Sequence, residues 1–289
     1  MPSVTLVGIA KNEGRYIAEW LAFHRAVGFG PILVYDNDST DGTAATVTEI
    51  ARRDPGIKLT AWPTGDISPQ VSAYNDSLRR VGTPWVTFLD IDEFMVPFAH
   101  GSIQGFLETV PEDVASVHVN WRCFGSGGRA SDAYGLVTRA FTRGAEVSWD
   151  NHKHFKTLAR TELATEVLVH DVRTRGGRRV LSDFTPLIGS SAGAADRVAH
   201  AGIQINHYQS KTYPEFRRRM ANGNADAPAG HEARPRDDSA ERFAALDRNE
   251  VEDRRIRRFD RALDASLRRL TGRGAWLRGL VPGWRRAVP

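Results

Sequence analysis

The segment Phe88-Leu89-Asp90-Ile91-Asp92-Glu93-Phe94 delivers two carboxylates, one residue apart, at the end of an apolar run. Carboxylate oxygens suit Mg2+ or Mn2+, ions that commonly bridge one or two protein acids to the phosphates of a substrate. Such an ion would hold a diphosphate and act as a Lewis acid toward the charge on a departing nucleoside diphosphate. The ordinary alternative is an acidic strand end that meets water. Two further polar clusters, Lys11-Asn12-Glu13-Gly14 and Asp36-Asn37-Asp38-Ser39-Thr40-Asp41-Gly42, also follow short apolar runs.

The elements that carry these clusters are read from periodicity. Val4 to Ala10 is a buried strand, and behind it Ile17, Trp20, Leu21 and His24 recur at helical spacing. Ile32 to Tyr35 is a second strand. It leads into a helix with Val47, Ile50 and Ala51 on its apolar face and Ser39, Thr40 or Asp41 as N-cap. Ile57, Leu59 and Ala61 alternate as a third strand, Val71, Tyr74 and Leu78 mark a third helix, and Trp85 to Leu89 is a fourth strand. This alternation predicts a mostly parallel sheet with helices on both faces and a ligand site beyond the carboxyl ends of the strands. All three polar clusters fall at those ends. Strands at Val114 to Arg122, Phe155 to Arg160 and Ile203 to Tyr208 complete the sheet.

Residues Ala221 to Ser239, rich in Ala, Gly, Pro, Asn and charge, read as a loop or linker with a boundary near Gly230. The expected organisation is an α/β domain over residues 1–230, then a linker and basic helical extension over 231–289. In that extension Ile256, Phe259, Leu263, Leu267 and Leu270 share one helical stripe.

At 289 residues the chain can bury one large core, or a core with an accessory piece. Its 41% hydrophobic and 26% charged residues argue against global disorder. The single Cys123 cannot form an intrachain disulfide, which points to a cytoplasmic setting. Val4 to Ala10 has neither the basic start nor the cleavage site of a signal peptide. The most apolar stretch, Trp85 to Phe98, is broken by Asp90, Asp92 and Glu93, so no spanning helix is expected. The net charge of +4 is concentrated toward the Arg-rich C-terminus and is compatible with nucleic acid, an anionic membrane or a phosphorylated ligand. No zinc, RRM or helix-turn-helix signature accompanies it, and no specific nucleic acid is expected.

In order, Lys11-Asn12-Glu13, Tyr35-Asp36-Asn37 and Asp90-Ile91-Asp92-Glu93-Phe94 resemble the K-N-E start, Y-D-N turn and D-x-D-E-F motif of family-2-like glycosyltransferases, closest to glycosyltransferase family 92. Glu19-Trp20 with His24, Gln70 to Leu78, Trp121 to Gly127, Lys156-Thr157, and Asn206-His207-Tyr208 with Lys211 extend the likeness over residues 3 to 225. The resemblance implies a GT-A (Rossmann-like) fold. It also implies metal-dependent transfer of a sugar from a nucleotide-sugar donor, a UDP-sugar first of all, to a glycan, glycolipid or other hydroxyl acceptor. By the same likeness Ala10, Asn12 and Glu13 line the nucleotide site, and Asp36 meets the base with Asn37 nearby. Asp90 and Asp92 position ribose, diphosphate and a Mn2+ or Mg2+ ion. His207 is then a third metal ligand, or else the cap of a strand end. Lys211 and Arg219 would meet diphosphate oxygens or lie on a solvated basic face.

The implied chemistry is inverting, with an acceptor hydroxyl attacking the anomeric carbon while a carboxylate takes its proton. The E-D helix motif that supplies this base in many family-2 enzymes has no recognisable copy here. Asp171 and Asp132 stand as candidates, beside their ordinary reading as capping or solvated turn residues. Glu93 would orient the metal site or cap the next turn. Trp121 is expected to pack, and Gly125 to Gly128 to lie near the acceptor.

In the tail, Trp276, Leu277, Leu280, Val281 and Trp284 among arginines would give a peripheral contact at the inner membrane face. The stripe from Ile256 to Leu270 is expected to pack on the main domain or a partner. A haloacid-dehalogenase-type phosphotransferase also carries a strand-end D-x-D, but Phe94 breaks its pattern and the other polar strand ends find no use there. A non-catalytic carbohydrate-binding protein is the remaining alternative, weighed against by the intact Asp90 and Asp92.

Overall fold

The structure is a computed structural model in which residues 2–188, 193–223 and 236–272 are described. Strand β1 (Val4–Ala10) is buried along its length, and α1 (Ile17–Ala26) buries Ile17 through His24. The chain continues as β2 (Ile32–Asp36), α2 (Thr43–Arg53), β3 (Ile57–Ala61), α3 (Pro69–Leu78) and β4 (Trp85–Phe88). β1 pairs parallel with β2 and β4, and β2 with β3, the arrangement that helical crossovers produce. Helix α3 begins with Pro69, whose missing N–H costs nothing there, and Ser68 caps it by accepting from the Val71 amide.

Beyond β4 the sheet is mixed where the sequence predicted a mostly parallel one. β5 (Glu93–Val96), α4 (Ile103–Leu107), β6 (Val114–Cys123), α5 (Val137–Ala140), β7 (Arg143–Gly144) and β8 (Phe155–Arg160) follow. Then come β9 (Ala164–Val167), β10 (Val172–Thr174), β11 (Arg178–Leu181) and β12 (Gln204–His207). The main sheet runs β3-β2-β1-β4-β8-β6-β12-β5, with β11 also on β6. β8 lies antiparallel to β4 and β6, while β12 is parallel to β6 and antiparallel to β5. In a flat sheet the four strand spacings from β4 to β5 would amount to about 19 Å. Five Cα steps, from Phe88 to Glu93, reach about 18 Å only when fully extended, and this segment is folded into a turn. The sheet must therefore curl, and the acidic turn closes the curl.

The chain ends in α6 (Tyr213–Ala221), α7 (Ala240–Leu246), β13 (Val251–Glu252) and α8 (Asp260–Thr271). β13 pairs antiparallel with β7. The stripe Ile256, Phe259, Leu263, Leu267 and Leu270 is buried in the same apolar core as α1, so it packs on the main fold. Asp54, at the end of α2, accepts from Arg25 of α1 and Arg269 of α8, tying three helices together. Gly230 and the tail from Arg273 to Pro289, with its tryptophans, lie outside the described residues. No described helix is long and apolar enough to cross a membrane.

Candidate active site

The loops after β1 and β2 are laced into one rim. Asn12 donates its amide to Ser39 Oγ (3.0 Å) and accepts from the Thr40 amide (2.8 Å). The Glu13 amide donates to Thr43 Oγ1 (2.8 Å), and that of Gly14 to Asp41 Oδ2 (2.9 Å). Asn12 (φ 57°) and Asp38 (φ 53°) hold left-handed backbone, a cost sustained by surroundings that over-determine it. Asn12 Nδ2 also donates to Asn222 Oδ1 (3.3 Å), which fastens the end of α6 to the rim. Ala10 closes β1 in the core. Asn37 is spent internally, donating to Trp62 O and Thr64 Oγ1. Asp36 differs. Its Oδ2 accepts from the Ser39 amide (3.3 Å), but Oδ1 is buried with no hydrogen-bond partner, a bare acceptor at the end of β2.

The acidic turn after β4 is fixed from behind. Trp20 Nε1 donates to Asp90 O (3.1 Å) and Glu93 O (2.9 Å), and the Asp90 amide donates to Glu93 Oε2 (2.9 Å). Glu93 thus caps its own turn. Burial pushes its carboxyl well above the usual range, opposed by Lys156 and reinforced by Asp90 and Asp92. Asp90 accepts from Gln70 Nε2 (2.7 Å) and Lys156 Nζ (3.1 Å). Burial would raise its pKa, but Lys156 outweighs that and holds it below the ordinary value. Asp92 Oδ2 lies 3.1 Å from Arg219 Nε and 3.6 Å from His207 Nε2. Against its burial, Arg219 and His207 keep it well below the usual range. Burial lowers the pKa of His207, favouring the neutral imidazole.

The expected metal trio is divided: Asp90 pairs with Lys156, and Asp92 lies between Arg219 and His207. Among the described residues no three His, Cys, Asp or Glu side chains converge on a point suited to an ion. Asp92 Oδ2 and both His207 ring nitrogens are nevertheless buried without hydrogen-bond partners. A carboxylate oxygen beside a neutral imidazole fits a Mn2+-class ion. Asp92 and His207 therefore suit the implied group, and Asp90 would have to turn from Lys156 to join them.

Helix α6 brings Arg219 to this site. Thr212 and Glu215 form its capping box, and Glu215 also accepts from the hydroxyls of Tyr16 and Tyr134 and pairs with Arg15 (3.3 Å). Lys211, expected at the diphosphate, is buried, and its charge favours the ionised forms of Asp92 and Glu13. Its Nζ donates to Tyr208 O (2.9 Å) and stands 4.6 Å from the centre of the Tyr16 ring.

Neither base candidate shares a hydrogen bond or ion pair with the acidic pair. Asp171 accepts from Arg179, the Val172 amide (2.8 Å) and Thr157 Oγ1 (3.3 Å), and lies 3.1 Å from His118 Nε2. Asp132 is half-exposed and pairs with Arg218 (2.7 Å). The charge of each carboxylate is already spent on an arginine. The Gly125 to Gly128 loop is clamped from the C-terminal segment, with Ser126 donating to Asp247 and the Gly127 amide to Asn249 Oδ1 (2.6 Å).

Lys156, in the sequence a motif match alone, is the charge partner of Asp90. A lysine inside the apolar strand Phe155-Lys156-Thr157-Leu158-Ala159 was the available signal, since a buried ammonium needs a carboxylate. Gln70 carried no such mark.

A curled mixed sheet flanked by helices, with polar loops and an acidic pair gathered on its carboxyl edge, defines a GT-A-type α/β domain. A model of glycosyltransferase family 92 matches residues 6–241, and the chain belongs to that family. A glycosyltransferase family 92 protein of Oryza sativa subsp. japonica is 21% identical over 220 residues, covering 74% of this chain and 34% of that protein. One of Arabidopsis thaliana is 25% identical over 170 residues, covering 56% of this chain and 29% of that protein. The chain spans about a third of the length of these curated relatives. A solved mannosyltransferase of Pyrobaculum calidifontis, in complex with GDP-Man and Mn2+, is 16% identical. The match covers 98% of this chain and 76% of that one at a TM-score of 0.42.

Proposed function

We propose that this chain transfers a sugar from a nucleoside diphosphate donor of the UDP type to a hydroxyl of a glycan, glycolipid or similar acceptor, with a divalent ion and inversion at the anomeric carbon. The observation that carries this is the pairing of two incomplete sites on one sheet edge. Asp36 Oδ1 is a buried acceptor without a donor at the end of β2. In the turn after β4, Asp92 Oδ2, with Arg219 beside it, and both His207 ring nitrogens are buried without hydrogen-bond partners. A ligand with an N–H-bearing base at one end and a metal-bound diphosphate at the other would complete both.

In this reading Asp36 accepts from the base, and the rim built on Asn12 shapes the pocket around the nucleoside. Asp92 and His207 hold the ion, which supplies Lewis-acid stabilisation of the departing diphosphate when bound. Arg219, already at Asp92, pairs with a phosphate oxygen as the donor enters. Lys156 keeps Asp90 ionised, and Glu93 keeps the turn closed by accepting from the Asp90 amide. Purified protein given UDP-sugars, Mn2+ and a panel of saccharide acceptors should release UDP, and EDTA should stop the release. Failure with every nucleotide sugar, in folded protein, would sink the proposal.

A further inference from the structure

Next to the acidic pair lies an aromatic group in which several ring nitrogens have no partner in the fold. Trp121, on β6, is 7% exposed. His154 stacks on it at 4.8 Å between centroids and 21° between planes, His207 lies at 4.2 Å, and His170 meets it edge-on at 5.4 Å. Burial of this kind is the packing expected of Trp121. Packing does not explain the nitrogens. Trp121 Nε1, His170 Nδ1 and both His207 nitrogens are buried with no hydrogen-bond partner. Leaving such a group unmatched is costly, and a phenylalanine or leucine would fill the space without that cost.

Position and chemistry narrow what would satisfy them. His207 touches both regions, its Nε2 at 3.6 Å from Asp92 and its ring against Trp121. Lys156, which holds Asp90, also donates to Val169 O (2.9 Å), adjacent in sequence to His170. The group therefore begins where the acidic pair ends. His154 and His170 are only partly buried. Burial pushes the His170 pKa down to about 3, so its imidazole is neutral and offers one donor and one acceptor. An indole with neutral imidazoles matches a ligand that has an apolar face and hydroxyls able both to donate and to accept, which describes a sugar ring.

We propose that Trp121 and His170, with His154 at the rim, form the subsite for the donor's glycosyl unit, and that Trp121 Nε1 and His170 Nδ1 hydrogen-bond its hydroxyls. The inference rests on reading the acidic pair as the diphosphate site, because the sugar is the next group along a donor held there.

The test is calorimetric titration with UDP, UDP-glucose, UDP-galactose and UDP-N-acetylglucosamine in the presence of Mn2+. Wild type should bind at least one nucleotide sugar more tightly than UDP. Trp121→Phe, which keeps a ring and removes the N–H, should weaken that sugar about three- to tenfold, the value of one hydrogen bond, and leave UDP within about twofold. His170→Phe, at a partly exposed position, gives the same readout should Trp121→Phe fail to fold. A wild type that binds UDP but prefers no sugar, or variants that weaken UDP and its sugars equally or not at all, would overturn the subsite alone. A wild type that binds no nucleotide would overturn the donor-site reading and the subsite with it.

Discussion

Asp171→Asn separates a structural carboxylate from a catalytic one. In the fold Asp171 is 12% exposed and bound by Arg179, Thr157 and the Val172 amide, with His118 at 3.1 Å. Burial would raise its pKa, but His118 and Arg179 bring it from 3.8 down to about 2. At 1.36 kcal/mol per pH unit, that depression corresponds to about 2 kcal/mol of folding stability. A depressed carboxyl stabilises the folded chain above its unfolded pKa, and the contribution is lost as pH falls through the folded value. Asparagine resembles the protonated acid, so the variant should be less stable by about 2 kcal/mol at pH 7, or about 4 °C in melting temperature. Urea unfolding of both proteins should show a constant gap from pH 8 to 5 that narrows below pH 4. Single-turnover transfer, measured where both proteins are folded, should fall by less than about tenfold, because a carboxylate with pKa near 2 is a weak proton acceptor at neutral pH. Unchanged stability with a transfer step slowed a hundredfold or more would refute this reasoning and restore Asp171 as the base.

Three other outcomes follow from the same geometry. Asp36→Ala should cost about 10- to 100-fold in UDP affinity, the range for a hydrogen bond to a charged acceptor, with only a small fall in melting temperature, because Oδ1 has no internal partner and Oδ2 has the one long bond from the Ser39 amide. Leu263→Ala should destabilise the whole domain by about 2–5 kcal/mol in denaturant titration, since α8 shares the core with α1; a loss confined to a separate C-terminal transition would contradict that. Burial, aided by Asp92 and opposed by Lys211 and Arg219, raises the Glu13 pKa to about 8. A raised carboxyl withdraws stability as pH climbs from its unfolded value to its folded one. Glu13→Gln should therefore be more stable than wild type at pH 9, with the difference closing toward pH 5 in urea midpoints.

The first half of the sheet was legible because burial, helical spacing and strand-end polarity all agree from Val4 to Phe88. The second half was less so. β8 enters between β4 and β6, and β7 and β13 pair through two residues each, connections that depend on distant segments. That Asp36, Asp90 and Asp92 stand at or just beyond strand ends was legible, since this needs only the order of elements. It did not reveal that Lys156 neutralises Asp90, that Lys211 is spent on Tyr208 O, or that Arg179 occupies Asp171. Each of those is a pairing between separate segments, and one carboxylate in a polar loop looks like another until its partner is known. The stripe on α8 showed that it packs but not where, because an amphipathic face carries no address.

In the proposed function one sheet edge binds a metal-bound nucleoside diphosphate. The most direct measurement is calorimetric titration with UDP, with and without Mn2+, for wild type and an Asp90→Ala, Asp92→Ala double variant. Wild type should bind UDP in a manner that depends on Mn2+, and the binding should disappear in the double variant while the fold is retained. Binding of equal strength in both proteins, or indifference to the ion, would contradict it.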